Sequence, residues 1–186
     1  MLREDIGVFM FLVIEYYLQT YQYHQAYKYL KYLENNDFEN QEMNWLIFEQ
    51  HYICAYNLKI YPKFFRYYDL LMGNYNIGYP NQRQVIIRLM MLDVQASEYY
   101  PEIVEELREI GNHRYDDDYY FDIIYWKLLI MLKGKAWFAV YEEVLKKELF
   151  GEARFIALLV YAADRLNRPE YIKKATEIAE KYIFEK

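Results

Sequence analysis

Glycine, proline and cysteine are all scarce in this chain, at six, four and one among 186 residues. So few turn-formers exclude a β-sandwich dense in tight turns and leave long uninterrupted elements, helices above all. The lone cysteine, Cys54, excludes an intrachain disulfide. Its surroundings, "HYICAYN", offer no second thiol for a metal or redox motif, so its expected place is buried packing. Serine occurs once, as Ser97, and no serine elbow, glycine-rich phosphate loop or His-Glu-x-x-His is present. Basic residues are in the minority, 22 against 28 acidic ones, and form no stripe. The electrostatic footprint that phosphate backbones demand is missing, which argues against nucleic acid as a direct partner.

Long hydrophobic runs are absent too. The apolar stretch "IGVFMFLVI" near the start is too short to span a bilayer. It follows "MLRED", where Glu4 and Asp5 cancel any positive region, and no small-residue cleavage site succeeds it. The expectation is a soluble, cytoplasmic protein with no membrane partner.

What is present is apolar and aromatic. An apolar share of 55% over this length suffices for a real core. Twenty-four tyrosines raise the aromatic share to 20%. Tyrosine buries a ring yet keeps a hydroxyl to satisfy, so it suits half-buried layers and grooves. Acidic charge is concentrated: between Glu98 and Asp122 nine carboxylates face only Arg108 and Arg114.

A repeat organises the chain. Pro62, Pro101 and Pro169 share a column that His24 and Lys135 occupy in two further segments, at spacings of 38, 39, 34 and 34 residues. Two residues on stand Ala26, Phe64, Ile103, Trp137 and Tyr171; six on, Leu30, Tyr68, Leu107, Tyr141 and Ala175; nine on, Leu33, Leu71, Ile110, Val144 and Ile178. These offsets share one face of a helix that starts near the column, where proline is favoured because its missing amide hydrogen would have been unpaired anyway. Fourteen residues before the column lie Met10, Phe48, Ile87, Phe121 and Phe155, and ten before it Ile14, Tyr52, Met91, Tyr125 and Leu159. They predict an earlier helix in each unit. The units run over about 5–37, 40–74, 79–112, 115–148 and 150–184 of a single domain, with "GNYNIGYPN" breaking helical continuity after the second. A lone hairpin cannot bury its apolar stripe, whereas stacked hairpins can.

In "YQYHQAYKYLKYLENND", Tyr23, Ala26 and Leu30 fall in the order that opens the second helix of a tetratricopeptide repeat. With a period near 34 residues and an aromatic-rich first helix, the chain resembles a degenerate tetratricopeptide-like helical repeat protein over about residues 5 to 184. Phe64, Ile103, Trp137 and Tyr171 stand where that family has a small alanine. The resemblance implies an all-α fold, an α-solenoid of about five antiparallel helix hairpins. It implies a non-catalytic scaffold that holds a protein or peptide on its concave face, without a cofactor. The first helices of the units would line that face, which selects Glu15, Glu49, Tyr56, Arg88, Leu92, Asp122 and Trp126.

Arg88 could clamp a carboxylate of the partner in two-pronged fashion, or pair internally with Glu49 or Asp122. Trp126 and Tyr56 are hot-spot candidates if exposed and core if covered. The groove could also close against a second copy as a homodimer. A small acidic chaperone and a peptide-sensing regulatory domain are the alternative readings. A metal-dependent enzyme is the remaining one: His113 with Asp116, Asp117, Asp118 and Asp122 offers oxygen ligands, although aspartates at 116–118 equally suit the start of a helix. His51 is expected to be a satisfied histidine of the core.

Overall fold

The computed structural model describes residues 4–34, 41–73, 82–112 and 117–184. Among them are nine α-helices, one π-helical turn and no strand. The helices are α1 (Glu4–Gln19), α2 (Tyr23–Leu33), α3 (Gln41–Asn57), α4 (Tyr61–Gly73), α5 (Gln82–Asn112), α6 (Asp117–Lys133), α7 (Trp137–Lys146), α8 (Ala153–Leu166) and α9 (Pro169–Ala179). The π turn covers Glu180–Phe184. No helix among the described residues is long and apolar enough to cross a membrane.

Three of the hairpins reverse through one and the same turn. After α1 the amide of Tyr21 donates to the carbonyl of Leu18 (3.0 Å) and that of Gln22 to Tyr17 (2.8 Å). After α3, Lys59 donates to Tyr56 (3.1 Å) and Ile60 to Ala55 (2.8 Å); after α6, Lys135 donates to Leu132 (3.0 Å) and Ala136 to Met131 (2.9 Å). This paired pattern closes a helix by satisfying its last carbonyls and needs one left-handed residue. Glycine usually supplies it. Here Tyr21 (φ 58), Lys59 (φ 56) and Lys135 (φ 61) do, and the next helix begins two residues on. Asn167 (φ 51) is left-handed before α9 as well, but its amide bonds to Ala163 and Asp164, and Pro169 follows it by two residues where Pro62 follows Lys59 by three.

The remaining hairpin hides inside α5. Tyr99 has non-helical angles (φ −119, ψ 27), and Pro101 follows it. Arg88 and Glu106 are ion-paired, whereas eighteen residues of straight helix would hold them about 27 Å apart. The chain therefore folds back at Tyr99. The Tyr100 ring then packs so tightly on α6 that a Cβ at Gly134 would lie 2.2 Å from it.

Contacts gather the chain into two compact bodies, residues 1–79 and 80–186, divided within the glycine- and proline-bearing break that sequence reasoning places inside a single domain. Residues 74–81 of that break lie outside the described residues. In the first body α1 pairs with α2 and α3 with α4, and both α1 and α2 touch α3. In the second, α6 pairs with α7 and α8 with α9, and both α6 and α7 touch α8. Each body thus packs a hairpin onto the next in the same manner, which is how stacked units bury their stripes. Ile14, Ala26, Leu30 and Cys54 anchor the first core. Leu89, Leu92, Ile103 and Leu107 anchor one core of the second body, and Leu128, Val140, Val144 and Leu159 another. Burial pushes the Cys54 thiol up to about 12, as expected for an inert packing residue.

The turns correct the repeat register in the fourth unit. Lys135 is the counterpart of Lys59, so Phe138 rather than Lys135 is the counterpart of Pro62. Burial agrees: with the three-residue shift Ile124, Leu128, Val140 and Val144 fall in the core columns and are buried, whereas Phe121, expected in the core, is 42% exposed. Three residues turn a helix by about 300°, so a slip of three leaves an apolar stripe nearly in place.

Two substitutions probe these turns in denaturant titrations. Gly134→Ala should destabilise the protein by about 1–3 kcal/mol, since the Tyr100 ring has to move. Lys135→Gly should stabilise it by about 0.5–1 kcal/mol, because a left-handed residue without Cβ carries no steric cost.

Candidate functional site

In the first body the sequence-selected residues sit on α1 and α3. Glu15 of α1 accepts a hydrogen bond from Gln50 Nε2 of α3 (2.8 Å), which fixes the carboxylate against the neighbouring helix. Glu49 and Tyr56, two turns apart on the same side of α3, are half-buried. The Tyr56 ring lies 5.9 Å from that of Phe64.

Beside them stands a polar cluster that sequence reasoning missed. His51 is buried at 1% exposure and stacks on Tyr67 (centroids 4.5 Å, 10° between planes). It also meets Tyr27 edge-on at 6.4 Å. The expected core position holds; the ring nitrogens make no hydrogen bond of full geometry, and the backbone of Leu30 is a polar group that acts on them. Close by, Glu34 accepts a hydrogen bond from Lys63 and one from the Tyr67 hydroxyl (3.4 Å), with Arg66 at 3.8 Å. Burial pushes the His51 pKa down to about 4; Glu34 opposes that shift while Lys63 and Arg66 add to it. The hydrogen bond from Lys63 holds the Glu34 carboxyl below its usual range. The cluster was hidden because Glu34 just past α2, His51 of α3 and Lys63 of α4 have no shared spacing.

In the second body Arg88 donates from Nη2 to Glu106 Oε2 (2.9 Å), and its Nε meets the other oxygen. Internal pairing was one of its two expected roles, and Glu106, brought near by the reversal at Tyr99, is a partner. Leu92 is 1% exposed inside the core, so it lines no groove. Ile156 and Ala163, at matching first-helix positions of the fifth unit, are equally buried at 1%. Trp126 is half-buried and packs against the core that holds Leu89 and Leu92.

Asp122 leads to a concavity of the second body. It accepts a hydrogen bond from Arg154 Nη1 (2.6 Å), and the Arg154 Nε is ion-paired with Glu152 at 2.7 Å. Desolvation works against the guanidinium charge, but these two carboxylates outweigh it and raise its pKa. The same guanidinium lies 5.0 Å from the Tyr125 ring centroid and 5.2 Å from that of Phe155. Next to it opens a cavity of about 380 Å³ floored by Phe121, Leu149 and Phe155, with Lys147, Glu148 and Glu152 among its walls. The start of α6 and the α7–α8 connection form it. A site of that volume admits one large apolar side chain with charges of both signs around it. Phe121 escaped notice as a lining residue because the slipped register assigns it to the core.

Asp116 and the side chains of Asp117 and Asp118 lie outside the described residues, as does His113, so the capping and metal readings of that segment are not addressed by this geometry. Compared with family models, curated proteins and solved structures, the chain matches none.

The buried imidazole implies a pH dependence. A histidine whose native pKa lies below its unfolded value near 6.5 contributes stability fully above that value and loses it as pH falls toward 4. Denaturant titrations should show the first body losing about 3 kcal/mol between pH 7 and pH 4 from this group. His51→Phe, which keeps the stack on Tyr67, should flatten the slope in that window; Glu34 adds its own loss only at lower pH.

Proposed function

We propose that the chain is a non-catalytic protein- or peptide-binding module, a degenerate tetratricopeptide-like scaffold whose hairpins continue as an α-solenoid. Hairpins that stack alike within each body, first helix on first helix and second helix on the next first helix, support the repeat reading. The observation that carries the binding reading is the cavity over Phe121, Leu149 and Phe155, beside the Asp122–Arg154–Glu152 network. An apolar floor with charged walls suits an extended or helical segment that inserts one large apolar side chain and aligns its polar backbone on the rim. Of the residues selected from sequence, Asp122 neighbours this cavity through Phe121. Glu15, Glu49 and Tyr56 belong to a separate helical face of the first body.

A small acidic chaperone would use the same cavity less selectively. A peptide-sensing regulatory domain would couple its occupation to a further partner. Metal-dependent hydrolysis would instead draw on the acidic segment at 116–122, of which Asp122 is already engaged by Arg154.

Selection of peptides from a displayed library against the purified protein tests the proposal. The recovered peptides should share one large apolar residue, and Phe121→Ala should weaken their binding at least about tenfold, or about 1.4 kcal/mol, with the thermal melt little changed. Trp126→Ala should instead lower the melting temperature, because it removes packing from the core around Leu89. Peptides without a common apolar anchor, or binding indifferent to Phe121→Ala, would contradict the proposal.

A further inference from the structure

The first helix is apolar on both sides. Gly7 and Ile14 face the core, while Val8, Phe9, Leu12 and Tyr16 on the opposite side are 44%, 67%, 60% and 59% exposed, with Ile6 at 45% beside them. At 3.6 residues per turn these five fall within one arc of about 160°. The arc carries no charged residue between Ile6 and Tyr16, since Glu15 lies outside it and is bonded to α3.

At their observed exposures the five side chains leave roughly 600 Å² open, the upper end of what a monomer usually shows as a single apolar patch. The opposite behaviour is seen in α9, the last α-helix of the second body, which exposes Glu170, Lys173, Lys174, Thr176 and Glu177 to solvent. In the first body α1 packs on α2 and α3, and its outer side lacks that finish.

We propose that a second copy of this chain docks on the outer face of α1, helix against helix about a twofold axis. A twofold interface is self-complementary, and the stretch of the arc from Ile6 to Tyr16 meets its own copy without burying an unpaired charge, Asp5 standing at the N-terminal end of the same arc. Two such patches together bury roughly 1,200 Å², the lower limit for a specific interface. The pair runs antiparallel, which opposes the helix dipoles favourably and keeps the acidic start of α1 at Glu4 and Asp5 away from its counterpart. Leu12, midway between Val8 and Tyr16, then lies at the axis. A lipid surface is the poorer occupant, because helices that lie in a membrane interface carry Lys or Arg on their polar side and α1 has neither. The inference is independent of what the cavity near Phe121 binds.

Size-exclusion chromatography with light scattering tests it over about 1–100 μM, the range in which an interface of this size is expected to associate. The protein should pass from monomer to dimer, and the double substitution Phe9→Glu with Leu12→Glu should hold it monomeric throughout with the same melting temperature as dilute native protein. Leu12→Cys should give a disulfide-linked dimer on mild oxidation, while the buried Cys54 of the native chain should give none. A native protein that stays monomeric at the top concentration would overturn the proposal. So would a dimer that survives the double substitution, or a Leu12→Cys dimer that does not cross-link. Binding to neutral or anionic lipid vesicles that the same double substitution abolishes would also overturn it, naming lipid as the occupant.

Discussion

The hairpins exist because one helix is closed and the next begun within two residues. Ending a helix leaves its last carbonyls unpaired, and beginning another leaves its first amides unpaired. The paired bonds from Gln22 to Tyr17, Ile60 to Ala55 and Ala136 to Met131 meet the first need, and the carbonyls of Gln22, Ile60 and Ala136 then accept the first bonds of the following helices. Both needs are met only if the residue between adopts a left-handed backbone. The chain places tyrosine and lysine there instead of glycine, which costs some stability at each turn but leaves the unfolded chain less free than glycine would.

From that reversal the packing follows. The two helices of a hairpin present apolar stripes that a hairpin alone cannot cover, so each hairpin leans on the next. Tyrosine replaces the small residues that would let helices approach closely, and the gaps are filled by rings: Tyr52 stacks on Phe64 at 4.4 Å, and Tyr141 meets Tyr171 at 4.8 Å. Two small residues are placed for contact, Gly134 under Tyr100 and Ala26 in the first core. Buried polar groups are handled unevenly. Asp93, 1% exposed in α5, is paired with Lys133 of α6, whereas His51 is kept neutral chiefly by burial.

Much of this was legible in the sequence. Helical periodicity gave the helix pairs, and the scarcity of glycine and proline correctly signalled long elements. Buried Ile14, Leu30, Tyr52, Phe64, Leu107 and Leu159 all stood in the predicted columns. What could not be read was register finer than a helical turn, because a slip of three residues preserves the stripe; it was lost in the fourth unit, where no proline marks the column. Side-chain partners were equally hidden. Arg88 finds Glu106 only because the chain folds back at Tyr99, and Asp122 finds Arg154 across two helices. Periodicity places Leu92 among the lining residues because it identifies an apolar face without saying which neighbour covers it.

Hydrogen exchange at the turns tests the central claim most directly. If the hairpins share one closing turn, the amides of Gln22, Ile60 and Ala136 should exchange about as slowly as amides within the adjoining helices, since each is bonded to a carbonyl five residues back. Exchange at these three amides near the rate of an unstructured chain, beside protected helices, would contradict it.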